Sequence, residues 1–177
     1  MHTTSGSVYW FTGLSGAGKT TLGKLYVEYL KSVNKCNVVL LDGDIMRVVL
    51  SSTKNYSSKE RNELAFKYSR LSKMLATQGF EVVVCTISMF HNVRKWNREN
   101  IESYVEIFIE VPLQNLVERD SKGIYKRKEN GGVSDVVGID LEPELPLDPD
   151  LRILNDGSRP LVDLLNDIIR HTKYIHS

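Results

Sequence analysis

Residues 13–20, Gly13-Leu14-Ser15-Gly16-Ala17-Gly18-Lys19-Thr20, spell the pattern G-x-x-x-x-G-K-[S/T]. Glycines let such a turn adopt conformations that a Cβ forbids, so that successive backbone N–H groups converge on phosphate oxygens. The N-terminus of the helix that follows adds a partial positive charge. Lys19 is then expected against the β- and γ-phosphates of a nucleotide, and the Thr20 hydroxyl on Mg²⁺. The flanks agree with this reading. Ser7-Val8-Tyr9-Trp10-Phe11-Thr12 is short, β-branched and aromatic, as a strand should be. Leu22, Leu25, Tyr26, Tyr29 and Leu30 recur at helical spacing behind the loop.

The chain has 177 residues and a formal net charge of +1, so one domain spanning 1–177 is expected, with no global charge to attract nucleic acid or a membrane. Its partners are expected to be small molecules. Cys36 and Cys85, the two cysteines, show neither C-x-x-C spacing nor a companion His cluster. Both read as reduced core residues. No basic-then-apolar leader and no run of about 20 apolar residues occurs, and a cytoplasmic protein is the expectation.

Strand-like and helix-like segments alternate after the loop. Val38-Val39-Leu40-Leu41 reads as a strand buried on both faces of a parallel sheet, ending at Asp42-Gly43-Asp44. Residues 57–78 form a helix pattern with Leu64, Tyr68, Leu71 and Leu75 on one stripe, Ser57 or Ser58 as cap and Gly79 as stop. Further strands are expected at 81–87, 104–110 and 151–154, with helices near 92–103, 112–120 and from Leu161 onward. Residues 121–150 carry glycines and prolines without a sustained period and read as a lid loop. The order points to an α/β three-layer fold: a mostly parallel sheet of about five strands, helices on both faces, ligands at the strands' carboxyl ends.

A phosphate-binding loop serves kinases, GTPases and motor ATPases alike. Guanine recognition calls for Asn-Lys-x-Asp, whereas this chain has Asn34-Lys35-Cys36-Asn37, and a motor needs more chain. A small-molecule kinase fits. Asp42, closing a strand, is placed to reach Mg²⁺ or to take a proton from an attacking hydroxyl. Arg119, Lys122, Lys126, Arg127 and Lys128 would add positive charge around the transferring group.

Four stretches resemble the adenylyl-sulfate kinases, a family of P-loop NTPase fold. GLSGAGKTT at 13–21 has the family's wording and implies that Gly13, Ser15, Gly16, Ala17, Gly18, Lys19, Thr20 and Thr21 hold ATP, joined by Arg119. Leu41-Asp42-Gly43-Asp44-Ile45-Met46-Arg47 resembles LDGDNVR, which implies Asp42 as catalytic carboxylate beside Lys19, Thr20 and Asp42 as Mg²⁺ ligands, and Asp44 and Arg47 on the acceptor. Ile87-Ser88-Met89-Phe90 resembles ISPF, and Lys122-Gly123-Ile124-Tyr125-Lys126 resembles KGLYK, with Gly138-Ile139-Asp140 at the family's distance beyond it.

The resemblance implies phosphorylation of the ribose 3′-hydroxyl of adenosine 5′-phosphosulfate by MgATP in a homodimeric enzyme. Tyr56, Arg61, Ile87, Ser88, Lys122, Lys126 and Val136 would complete the acceptor site, with Tyr56 stacking on the base and Arg47 and Arg61 on the 5′ end. Departures gather on that side: Leu64 stands at the family's Asn, Phe66 at an Arg, Met89 at the Pro, His91 at an Arg, and Val136-Val137 where a second aromatic is expected. They admit a second acceptor of the same reaction type, cytidine diphosphoramidate. A nucleotide-binding module without turnover is the contrasting class, and intact Lys19, Thr20, Asp42 and Arg47 argue against it.

Overall fold

A computed structural model of the chain describes residues 5–33, 36–50, 57–119 and 142–175. Its elements follow in the order β1 (Val8–Thr12), α1 (Lys19–Ser32), β2 (Val38–Asp42), α2 (Gly43–Leu50), α3 (Ser58–Thr77), β3 (Glu81–Cys85), α4 (His91–Asn100), β4 (Tyr104–Glu110), α5 (Leu113–Arg119), β5 (Leu151–Leu154) and α6 (Leu161–Ile175). The strands make one sheet in the order β2-β3-β1-β4-β5, with every pairing parallel. The chain leaves β1 to build β2 and β3 on one side, then crosses to build β4 and β5 on the other. That switch of direction opens a crevice at the carboxyl end of β1, where the glycine-rich loop begins.

Both faces of the sheet are covered, which is why its central strands are apolar at nearly every position. Alternation sorts β1 between two cores. Tyr9 and Phe11 pack with Leu22, Tyr26 and Leu30 of α1, Leu116 of α5 and Leu164 and Ile168 of α6. Val8 and Trp10 face the other way, onto Met46 of α2, Ala65 and Tyr68 of α3, and Val93 of α4. The first layer is tight enough that a Cβ on Gly23 would lie 2.3 Å from the Cys85 Sγ, so glycine lets α1 settle onto β3. Helix α3 begins with a reciprocal cap: the Glu60 N–H donates to the Ser57 Oγ at 3.3 Å and the Ser57 N–H to the Glu60 carboxylate at 3.1 Å.

Three expectations change. Strand β2 is the sheet's edge and each of its residues is only half-buried, because β3 covers one side alone. Cys36 is exposed rather than in the core, since it precedes that edge strand. Helix α2 was not anticipated. Its Ile45, Val48 and Val49 recur at helical spacing but face outward while Met46 is buried, so the apolar stripe lies away from the core, and β-branched Val48-Val49 reads locally as strand. The expected lid up to Leu141, with Lys122, Lys126 and Val136, lies outside the described residues, as does Tyr56.

Candidate active site

Three segments meet at the crevice: the loop after β1, Asp42 at the end of β2, and residues 86–90 after β3. The Thr20 hydroxyl, in the first turn of α1, donates to Asp42 Oδ2 at 2.7 Å. The other carboxylate oxygen, Oδ1, accepts the backbone N–H of Asp44 at 2.9 Å and of Ile45 at 3.3 Å, capping α2. Both oxygens of Asp42 are thereby oriented before any ligand arrives. Lys19 is buried, and its Nζ donates to the Leu14 carbonyl at 2.7 Å, so the cation is held over the loop that precedes it.

Gly18 shows why the loop tolerates no side chain at its last glycine. Its φ is +94°, and a Cβ would come within 2.6 Å of Asn155 Nδ2. Asn155 follows β5, is buried, and donates from that Nδ2 to the Ala17 carbonyl at 2.9 Å. A residue from the far side of the sheet thus fixes the loop. Sequence reading did not single it out; its only signal is an asparagine directly after a terminal strand.

The cleft beside Asp42 encloses about 350 Å³. Of the expected site residues, Ser15, Gly16, Gly18, Lys19, Thr20, Thr21, Asp42, Asp44, Arg47, Arg61, Ile87 and Ser88 line it. Gly13 and Ala17 lie buried beneath the loop. Arg119 is across the sheet, where a Cβ on Gly157 would sit 3.4 Å from its Nη2. The β2–β3 half of the crevice is therefore separate from the β4–β5 half that holds Arg119.

Arg47 pairs with Asp44 one turn away on α2. The wall opposite is carried by α3, where Leu64 and Tyr68 share a face at i, i+4 and both line the cleft. The Tyr68 hydroxyl donates to the Gly43 carbonyl at 3.3 Å, and burial pushes its pKa up to about 12, so at neutral pH it is a donor. It belongs to the stripe expected of α3, whose periodicity gave no sign that one of its members faces a ligand cleft. Beyond β3, the Thr12 hydroxyl donates to the Ile87 carbonyl at 2.7 Å, and the hydroxyls of Thr86 and Ser88 lie 2.8 Å apart. Ser88 has a φ of +23°, a conformation that concentrates at ligand-contacting positions. Burial raises the Cys85 thiol, also on the cleft, to about 12.

The family resemblance implied that Leu64, Phe66, Met89 and His91 all face the acceptor. Leu64 and Met89 do. Phe66 instead packs edge-on against Trp96 of α4, ring centres 6.3 Å apart, because two residues beyond Leu64 lies on another helix face. The His91 ring turns back to Arg94, whose Nη2 lies 2.6 Å from its Nδ1.

Residues 5–154 match the adenylylsulphate kinase family model. The chain is 39% identical over 163 residues to the cytidine diphosphoramidate kinase of Campylobacter jejuni, covering 92% of this chain and 94% of that protein. It is 38% identical over 151 residues to the adenylyl-sulfate kinase of a Picosynechococcus species, covering 85% of each. Among solved structures, the Mycobacterium tuberculosis APS kinase CysC in complex with AMPPNP and APS superposes with a TM-score of 0.87 at 30% identity, covering 96% of this chain and 98% of that one. The fold is thus that of an ATP-binding nucleotide kinase, and the chain belongs to the adenylylsulphate kinase family.

Proposed function

We propose that this kinase transfers the γ-phosphoryl group of ATP to the ribose 3′-hydroxyl of a small nucleotide, and that the acceptor is cytidine diphosphoramidate. The observation that carries the reaction is the Thr20–Asp42 contact, which joins the phosphate-binding loop to a carboxylate facing the cleft. A hydroxyl and a carboxylate oxygen 2.7 Å apart beside a buried Lys19 suit a hard divalent cation. Thr20 and Asp42 would hold Mg²⁺, which when bound neutralises charge on the transferring phosphate.

Asp42 accepts the proton as the acceptor oxygen bonds to the γ-phosphorus and the bridging P–O bond to ADP breaks. The N–H groups of Asp44 and Ile45 keep that carboxylate in one orientation throughout. Lys19 compensates charge on the β- and γ-phosphates, and the backbone of Gly13, Ser15, Gly16, Ala17, Gly18 and Thr21 cradles them. Arg119 binds on the β4–β5 side, where the rest of ATP would lie. Arg47 and Arg61 hold the acceptor's anionic 5′ end beside Asp44, Ile87 and Ser88. Tyr56, Lys122, Lys126 and Val136 keep their proposed roles as base contact, closing cations and pocket wall. A homodimer in the cytoplasm belongs to the same reading.

The acceptor is chosen by Leu64. A carboxamide at that position reads a base or sugar by hydrogen bonds and discriminates strongly, whereas Leu64 and Met89 present apolar surface. An acceptor recognised by its anionic end and by packing, without that polar reading, fits this wall, and the Campylobacter relative is named for such a nucleotide. Adenosine 5′-phosphosulfate is the second reading, favoured by the retained Asp42-Gly43-Asp44 and Arg47. The test is ADP release with MgATP in the presence and absence of each nucleotide, with ³¹P NMR of the product. Acceptor-dependent release giving a ribose 3′-monophosphate is expected; release independent of any nucleotide would refute the proposal.

A further inference from the structure

Glu106 and Arg94 are the most buried charged residues among those described, at 2% and 5% exposure. Arg94 Nε lies 3.4 Å from Glu106 Oε1, which ties the base of α4 to the middle of β4. Arg98 adds a second cation to the same carboxylate at 3.1 Å and reaches Asp150 Oδ2 at 3.1 Å, and the Glu106 N–H donates to the Asp150 carboxylate at 2.7 Å. The outer end of Arg94 does something different. Its Nη2 donates to the Glu144 carbonyl at 2.6 Å and the Leu145 carbonyl at 3.3 Å, while the Glu144 carboxylate accepts the His91 backbone N–H.

Those contacts join two walls of the cleft. Glu142 and Pro143 form one rim; Ser88, Met89 and Phe90 form the adjoining wall, and α4 starts at the next residue. Burying a guanidinium and a carboxylate carries a desolvation cost that an apolar pair of the same volume would avoid. What the ions add is fixed geometry, since a planar fork engages main-chain carbonyls at set angles and lysine does not.

The geometry points to Arg94 as a positioning residue of the acceptor site: together with Glu144 it clips the 142–145 rim to the Ser88–Phe90 wall, so that the two move as one body referenced to β4. Only the kinetic consequence rests on the proposed acceptor reaction; the clip itself does not.

Two variants of the full chain test it, Arg94→Lys, and Glu144→Ala at an exposed position where folding is not at stake. Amide hydrogen exchange followed by mass spectrometry is expected to quicken by about fivefold in peptides spanning 88–94 and 142–147 together, leaving α1 unchanged. Faster exchange in 142–147 alone, or in neither, overturns the clip. In turnover, the acceptor KM is expected to rise by about fivefold with the ATP KM and kcat within about twofold. Parallel losses in both KM values and in Tm would mark Arg94 as structural only and overturn its positioning role. If the unaltered protein uses neither nucleotide, the acceptor proposal fails while the exchange result still decides the clip.

Discussion

The hydroxyl of Thr20 donates to Oδ2 of Asp42 across 2.7 Å, joining the first turn of α1 to the end of β2. Two residues separated by 22 positions are neighbours because β3 alone lies between β1 and β2 in the sheet, leaving both carboxyl ends at one crevice. In the proposed reaction they form the metal and proton site.

Asp42→Asn keeps an acceptor oxygen for the Asp44 and Ile45 N–H groups, so α2 retains its cap. It removes the charge and the proton acceptor. Steady-state kinetics should show kcat lower by about 10²-fold or more, with the Kd for ATP by calorimetry within about threefold.

Asn155→Ala leaves the Ala17 carbonyl without its side-chain donor and loosens the loop from β5. Thermal denaturation should report a loss of about 1 to 2 kcal/mol, and the ATP KM should rise while the acceptor KM does not. Equal increases in both would place Asn155 elsewhere in the mechanism.

The thiols should differ sharply. Cys36 is exposed, whereas burial lifts Cys85 to about 12 and its Sγ donates to the Lys19 carbonyl at 3.4 Å. A disulfide reagent at pH 8 should modify Cys36 in the native protein and both thiols only after unfolding.

Asp167 is held below its usual carboxylate range, first by the Arg159 guanidinium at 2.8 Å. A depressed carboxylate stabilises the fold above its unfolded pKa and loses that contribution as pH falls through the folded value. The Tm of the wild type should exceed that of Asp167→Asn by a small, salt-sensitive margin near neutrality. The gap should close below about pH 4.

Much of this was legible in the sequence. The 13–20 motif carried its own flanks, and β4 and β5 span the residues expected of them, 104–110 and 151–154. What escaped depended on the third dimension. Asn155 acts on Ala17 from 138 residues away, which no local pattern encodes. Phe66 occupies a family position for an acceptor contact, yet packs on Trp96, because α3 turns it away from the wall shared by Leu64 and Tyr68. Helix α2 has its apolar residues at helical spacing, but it is only eight residues long and its β-branched Val48-Val49 reads locally as strand.

The ratio of kcat/KM for cytidine diphosphoramidate to that for adenosine 5′-phosphosulfate, measured for the wild type and for Leu64→Asn, tests the acceptor assignment most directly. The wild type should favour the cytidine compound, and Leu64→Asn should move the ratio toward the adenosine compound by about tenfold. A wild type that favours the adenosine compound, with a ratio indifferent to Leu64→Asn, would contradict it.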